Sequence, residues 1–207
     1  MVIAFGSSGQ ALAQQVNNLP VVQAVVNTAG PVMAGQGAGQ RVGAMIQHRS
    51  DSSDVVVARE AQWLQQAGWP LYALVDRFSA GAPLTDQANC IAVAVYHEAR
   101  GESLEGQLAV AKVIMNRAAS GQYPTSWCGV VKQPWQFSFV RNGQFPHVDM
   151  QSGAWRKALG VTRLAVSNAI PTLSSDVLWY HADYVAPGWG RRLTRVEKIG
   201  AHIFYRS

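Results

Sequence analysis

The sequence predicts an α+β domain, with helices first and a small β-sheet near the C-terminus. Three stretches after Pro83 carry apolar residues at helical spacing, and a Thr or Ser that can cap a helix precedes each of them. After Pro171 the pattern shortens to two strand-like segments, 177–181 and 201–205. Helices followed by strands are typical of an α+β domain.

The three main helices are predicted from their caps and their apolar stripes. Thr85, Ser103 and Ser152 are the expected N-caps, and Gly101 and Gly121 are expected to end the first two helices. The helices then cover residues 86 to about 100, 104 to about 120, and 153 to about 168. Residues 123–150 are expected to form an irregular loop rich in aromatic side chains.

The chain before residue 84 differs from the rest, so we expect an N-terminal extension at 1–83 and a main domain at 84–207. Residues 1–40 contain no Lys, Arg, Asp or Glu, and a helical segment is predicted at about 55–78 with a break at Pro70. The sequence Ala11-Leu12-Ala13 before Gln14 resembles a signal-peptide cleavage site. Residues 1–13 are therefore either a truncated signal peptide or a flexible tail.

The composition indicates a basic protein with few charged residues. The formal net charge is +5, and charged residues make up 14% of the chain. A basic protein is attracted to polyanions, which include nucleic acid and the acidic polymers of cell walls. The basic residues form no stripe and no nucleic-acid motif, so no nucleic-acid partner is expected. The low charge fits an extracytoplasmic protein, and no apolar run reaches the length of a transmembrane helix.

Glu98 is the first candidate for chemistry, because it lies at the end of an apolar helix just before Gly101. Burial raises the pKa of a carboxyl group, and a protonated glutamic acid can donate to a glycosidic oxygen. The alternative is that Glu98 forms an ion pair with Arg100. We expect Glu102 to have a structural role in the turn, as an acceptor for backbone N–H groups at the start of the next helix.

The histidines and cysteines raise two other types of site, a zinc site and a cysteine-dependent one. The H-E-x-x-H zinc motif would need a second histidine at position 101, where this chain has Gly101, so we expect no metal and no cofactor. Cys90 and Cys128 can form a disulfide that ties the aromatic loop to the first main helix. They can instead be buried thiols, or Cys128 can be a nucleophile with His181 or His202 as its base.

The residues 91–117, IAVAVYHEARGESLEGQLAVAKVIMNR, resemble the core signature of the SleB-type cell wall hydrolases, a family known from spore cortex-lytic enzymes. Four later segments agree in order and in sequence: 128–131, 136–138, 179–181 and 199–205. The resemblance covers about Leu84 to Arg206. Spore members of the family also carry a peptidoglycan-binding repeat before this domain, and residues 1–80 do not resemble one.

The resemblance implies a lysozyme-like fold, related to goose-type lysozymes and lytic transglycosylases, and it implies Glu98 as the single catalytic acid. The residues that it places along the glycan groove are Gln136, Phe137, Ser138, Tyr180 and His181. The expected partner is peptidoglycan, bound by a monomer.

The sequence offers no convincing second carboxyl. Asp149 and Asp183 are possible, but no pattern in the sequence points to either of them. Because ordinary glycosidases use two carboxyls, we expect a lytic transglycosylase, in which the sugar's own C6 hydroxyl attacks and forms a 1,6-anhydro end. A hydrolytic muramidase is the first alternative. A non-catalytic murein-binding module and a cysteine-dependent murein peptidase are the others.

Overall fold

A computed structural model describes residues 53–207, and the expectations for residues 1–52 lie outside that range. Residues 53–66 are helical (α1), and α2 (Leu71–Arg77) follows after a turn. Pro70 is the N-cap of α2. Its ring prevents α1 from continuing, while its fixed φ suits the entry to a new helix. The predicted helical segment with a break at Pro70 is confirmed.

The three predicted main helices are present, as α3 (Asp86–Glu98), α4 (Leu104–Ala119) and α6 (Gly153–Val166). Each begins at the predicted cap, whose hydroxyl accepts a hydrogen bond from the backbone N–H three residues later, at Ala88, Gly106 and Trp155 respectively. Gly101 adopts a φ of 100°, which allows the chain to turn sharply between α3 and α4. These local signals therefore fix where the helices start.

The aromatic segment between α4 and α6 is more ordered than expected. Residues Trp127–Lys132 form a short helix, α5, with Ser126 as its N-cap. The expectation that Cys128 lies in a loop is therefore wrong. A helix of 6 residues is too short to show a helical period in the sequence, so only its cap could have indicated it.

The sheet has three antiparallel strands, β1 (Val177–Ala182), β2 (Thr194–Ile199) and β3 (His202–Arg206), in the order β1-β3-β2. The sequence predicted β1 and β3 but missed β2. Nearly all of β2 is exposed at the edge of the sheet, and it therefore lacks the alternation of apolar and polar residues that marks a half-buried strand. The combination of helices with a C-terminal antiparallel sheet confirms the predicted α+β class.

The main core surrounds α3, which packs against α4, α5 and α6. Helix α2 packs on α6, where Gly160 lies so close to the backbone carbonyl of Val75 that a Cβ atom would overlap it. Ala61 and Leu64 of α1 belong to the same core, so helices before residue 84 pack with those after it. None of the described helices is long and apolar enough to cross a bilayer.

A smaller apolar cluster joins the sheet to α4. It is built from residues of the helix, of the segment before β1 and of two strands: Ala109, Val113, Leu173, Val177 and Phe204. This cluster sets the distance between α4 and the inner face of the sheet. Tyr180 packs against its edge.

Candidate active site

Glu98 is the last residue of α3 and is partly buried. Burial raises the pKa of its carboxyl group, because the charged form loses solvation. A hydrogen bond from the Tyr180 hydroxyl and the positive charge of Arg117 act in the opposite direction, and the net pKa remains above the ordinary value. The end of α3 thus presents a carboxyl group that holds its proton more tightly than an exposed glutamate.

Tyr180 reaches Glu98 from strand β1. Its ring lies tilted against Phe204, with centroids 5.6 Å apart, and meets the edge of His202 at 5.2 Å. Burial raises the pKa of the Tyr180 phenol well above its ordinary value, and the nearby charge of Glu98 raises it further. Tyr180 is therefore neutral, and its hydroxyl donates to the Glu98 carboxylate.

Arg100 does not form the ion pair with Glu98 that the sequence offered as an alternative. Its guanidinium lies over the ring of Tyr96, 5.2 Å from the centroid, and Nη1 donates to the Tyr96 hydroxyl at 3.3 Å. Arg100 also lines a cavity of about 370 Å³ with Tyr96, Glu102 and Lys157, and Glu98 is not among the residues that line it. The cation that acts on Glu98 is Arg117.

The loop after α5 packs against the end of α3. Phe139 stacks on His97, the neighbour of Glu98, with ring centroids 5.1 Å apart. The exposed residues Gln136 and Ser138, predicted to bind glycan, lie in this loop. Phe137, predicted with them, is only 2% exposed and packs on Phe139. Its side chain therefore supports the loop from inside and does not present a binding surface.

His181 is part of an aromatic cluster on the sheet. Its Nδ1 donates to the carbonyl of Ala182 at 2.8 Å, and its Nε2 shares a hydrogen bond with the Tyr205 hydroxyl at 2.9 Å. Trp189 meets the His181 ring edge-on, at 5.5 Å. Both ring nitrogens thus have partners within the protein, and His181 is not among the groups that shift the pKa of Glu98.

Glu102 lies in the turn after α3, as expected, but its partner is different. Its Oε2 accepts a hydrogen bond from the backbone N–H of Ala201 at 2.9 Å, in the turn between β2 and β3. The start of α4, where we expected this bond, is capped by Ser103 instead. The carboxylate of Glu102 therefore connects the helical part of the domain to the sheet.

The two aspartates considered as a second carboxyl have other partners. Asp149 accepts from the backbone N–H of Gln151 at 3.0 Å, next to the start of α6, and Asp183 forms an ion pair with Lys198 at 2.7 Å. Neither affects the pKa of Glu98. Within residues 53–207 no three His, Cys, Asp or Glu side chains gather as a metal site would require.

Cys90 and Cys128 form a disulfide, with an S–S distance of 2.03 Å. It ties the first turns of α3 to α5, and so to the loop that carries Gln136 and Ser138. Neither sulfur is available as a nucleophile in this state, which rules out the cysteine peptidase mechanism for the disulfide form.

Sequence reasoning missed Asn116 and Arg117, two polar side chains that are buried near the end of α4. Asn116 Nδ2 donates to the carbonyls of Ser174 and Val177, and Arg117 Nε donates to the carbonyl of Leu178 at 2.7 Å. Both residues stand three and four positions after Val113 and share its face of the helix, but only the structure shows that this face is buried. Together they hold β1 against α4.

The chain matches the model of the family described as Cell Wall Hydrolase over residues 101–205, a range that begins just after Glu98. It is 38% identical over 117 residues to the spore cortex-lytic enzyme of Oceanobacillus iheyensis, and the match covers 55% of this chain and 39% of that protein. It is 40% identical over 119 residues to the spore cortex-lytic enzyme of Bacillus subtilis, with 55% and 35% covered.

Among solved structures, the catalytic domain of a germination-specific lytic transglycosylase, SleB, from Bacillus anthracis is 29% identical, with a TM-score of 0.48 over 61% of this chain and 100% of that domain. The chain spans well under half of the length of the two spore cortex-lytic enzymes that it matches. The family model, in contrast, covers about half of the chain and includes Tyr180 and Arg117. On that match, the chain belongs to the Cell Wall Hydrolase family.

Proposed function

We propose that this protein cleaves the glycan strands of peptidoglycan between N-acetylmuramic acid and N-acetylglucosamine, with Glu98 as its single catalytic acid. The observation that carries the proposal is the partly buried Glu98 carboxyl, whose pKa burial raises and to which the Tyr180 hydroxyl donates. A carboxyl group with a raised pKa stays protonated to a higher pH than an ordinary glutamic acid, and over that range it can act as a proton donor. Family membership and the names of the cortex-lytic relatives support the same substrate class.

The proposed reaction begins with transfer of the Glu98 proton to the glycosidic oxygen, while the bond from that oxygen to C1 of the muramic acid breaks. The ring is left with oxocarbenium character, and Glu98 is left as a carboxylate. That carboxylate then takes the proton of the muramoyl C6 hydroxyl, whose oxygen attacks C1. A 1,6-anhydro ring forms, and Glu98 is again protonated.

The lytic transglycosylase reaction is favoured because, within residues 53–207, no other carboxyl is among the groups that shift the pKa of Glu98, and both Asp149 and Asp183 have other partners. Ordinary retaining and inverting glycosidases need a second carboxyl about 5–9.5 Å from the first. Attack by the substrate's own hydroxyl removes this requirement. Hydrolysis, with water in place of the C6 hydroxyl, is the second candidate.

Within this proposal, the exposed Gln136 and Ser138 contact the glycan from the loop after α5, and Tyr180 and His181 do so from β1. Phe137 contributes indirectly, since it packs beneath the loop. The protein is proposed to act as a monomer outside the cytoplasm, where its substrate lies.

The test is to digest purified peptidoglycan with the wild type and with Glu98→Gln and to identify the products by mass spectrometry. We expect 1,6-anhydro ends from the wild type and no cleavage by Glu98→Gln, with binding to sedimented peptidoglycan retained. Reducing ends without anhydro products would establish hydrolysis instead. Glu105→Gln is the matched control, because Glu105 is an exposed carboxyl in the first turn of α4. If Glu98→Gln cleaves as fast as this control, Glu98 is not the acid.

A further inference from the structure

Arg117 is a buried cation behind the proposed acid. It is only 5% exposed, and its guanidinium lies 5.1 Å from the ring centroid of Tyr123 and 5.9 Å from that of Tyr180. Within residues 53–207 it forms no ion pair, and Nε donates to the carbonyl of Leu178. A buried charge without a paired carboxylate is costly. A purely structural anchor for β1 does not require that cost.

Asn116 shows that the anchoring can be done without charge. It is as buried as Arg117, at 4% exposure, and it bonds to two carbonyls of the chain entering β1. Arg117 adds one further carbonyl bond to the same strand. What distinguishes Arg117 is its positive charge, placed between two tyrosine rings.

We propose that Arg117 is a positioning residue for the cleavage reaction: it holds Tyr180 against Glu98 and stabilises the carboxylate that remains when Glu98 has given up its proton. The inference rests on the proposed function, in which Glu98 is the acid.

The path from Arg117 to Glu98 has two links. The first is the bond from Nε to the carbonyl of Leu178, two residues before Tyr180 in β1, which fixes the strand. The second is the contact of the guanidinium with the Tyr180 ring, whose hydroxyl donates to Glu98. A single side chain thus sets both the position of the strand and the electrostatic surroundings of the phenol.

The charges around Glu98 favour this role. Burial raises the pKa of the carboxyl, and the groups that lower it are Tyr180 and Arg117. The other titratable groups on the neighbouring elements are not among the groups that act on it: His97, Arg100, Glu102, Tyr123, His181 and His202. Arg117 is therefore the one cation of the described chain that strengthens this acid.

Stabilisation of the carboxylate matters at one step of the reaction. When the proton moves from Glu98 to the glycosidic oxygen, negative charge develops on the carboxylate in a partly water-excluded site. A fixed positive charge and a hydroxyl donor already in place lower the energy of that state. The carboxylate later regains a proton from the C6 hydroxyl or from water, so the same stabilisation applies to either product.

The experiment measures the initial rate of muropeptide release from one peptidoglycan preparation across a pH series. It uses the full chain and three variants, Arg117→Gln, Arg117→Lys and Asn116→Ala. The acid must be protonated, so the rate falls as pH rises through the pKa of Glu98. Removal of the cation raises that pKa. The fall of the rate at high pH is the basic limb of the profile, and the constant rate below it is the plateau. We therefore expect Arg117→Gln to move the basic limb upward by roughly one pH unit and to lower the plateau rate about tenfold.

The other variants separate charge from anchoring. Arg117→Lys keeps the charge, so its basic limb should stay near that of the wild type although its plateau falls. Asn116→Ala removes uncharged anchoring bonds, so it should lower the melting temperature without moving the limb. If Arg117→Gln moves the limb no further than Asn116→Ala does, Arg117 is only an anchor and the inference is overturned.

Two further measurements cover a variant that fails to fold and separate the role of Arg117 from the proposed function. If Arg117→Gln does not fold, Tyr180→Phe replaces it, because it removes the hydroxyl that donates to Glu98. Its limb should also move upward, and an unmoved limb would overturn the inference. If Glu98→Gln remains active, the proposed function itself fails. If Glu98→Gln is inactive while Arg117→Gln keeps the wild-type limb, only the role of Arg117 fails.

Discussion

Glu102 Oε2 lies 2.9 Å from the backbone nitrogen of Ala201, which donates a hydrogen bond to it. This bond joins the turn after α3 to the turn between β2 and β3. Gly200 stands beside it with a φ of 58°, and a Cβ atom there would overlap Glu102 Oε2. An alanine at this position would therefore hold a strained backbone and would displace the Glu102 carboxylate from its bond to Ala201.

Gly200→Ala should lower the free energy of unfolding by about 2 kcal/mol or more, from the strained φ together with the displaced carboxylate. Gly121→Ala is the matched control, since Gly121 has a φ of 74° but no atom within 4 Å of a Cβ placed there. It should lose about 1 kcal/mol, from strain alone. Urea unfolding measures both, and equal losses would mean that the contact with Glu102 has no cost.

Glu98→Gln should stabilise the protein at neutral pH while it abolishes cleavage. Burial raises the pKa of Glu98 in the folded state, so the contribution of this carboxyl is fully present below the unfolded pKa and is lost as pH rises through the folded one. Glutamine does not ionise, and its advantage should therefore grow with pH. Melting temperatures of the two proteins between pH 4 and pH 8 measure this. A constant difference across the range would contradict the raised pKa.

Replacing both Cys90 and Cys128 by alanine should lower the free energy of unfolding by roughly 3–4 kcal/mol, because the bridge closes a long loop in the unfolded chain. The cysteines are 38 residues apart in sequence. The matched measurement is the wild type with and without a reductant. Reduction should destabilise the wild type by a similar amount and leave the double variant unchanged. An effect of reductant on the double variant would show that it acts elsewhere.

Trp135→Gly should raise stability and weaken binding to peptidoglycan. Trp135 is fully exposed and holds a φ of 69°, a conformation that costs a bulky residue about 1 kcal/mol or more. An exposed indole next to Gln136 is suited to stack on the apolar face of a sugar ring. Trp135→Ala is the control, since it removes the indole but keeps the strain. Co-sedimentation should show that both variants bind peptidoglycan more weakly than the wild type. Thermal unfolding should show that Trp135→Gly is more stable than Trp135→Ala. Unchanged binding would exclude stacking of the indole on the glycan.

The sequence was most informative where structure depends on local chemistry. Thr85, Ser103 and Ser152 marked the three long helices because an N-cap is decided within four residues of chain. Helix α5 is too short, and β2 too exposed, to leave a periodic pattern. These two elements therefore appeared only in the structure.

The residues of the candidate site also differ in how far the sequence indicates them. Glu98 was a candidate from its place at the end of an apolar helix, and the family resemblance then selected it as the acid. Tyr180 and His181 came from the resemblance alone, and nothing in the spacing of the residues brings Tyr180 to Glu98. Arg117 was missed because an arginine at the end of a helix is normally exposed. Its burial depends on the docking of β1, which is a tertiary event that no local pattern encodes.

The bond between Tyr180 and Glu98 crosses the junction between the helical layer and the sheet. The acid therefore acquires its surroundings only after the C-terminal strands have docked on α4. A nascent or truncated chain would carry Glu98 without the burial that raises the pKa of its carboxyl and without its contact to Tyr180. Under the proposed function, cleavage of the cell wall would therefore depend on the C-terminal strands being present and docked, and not on Glu98 alone.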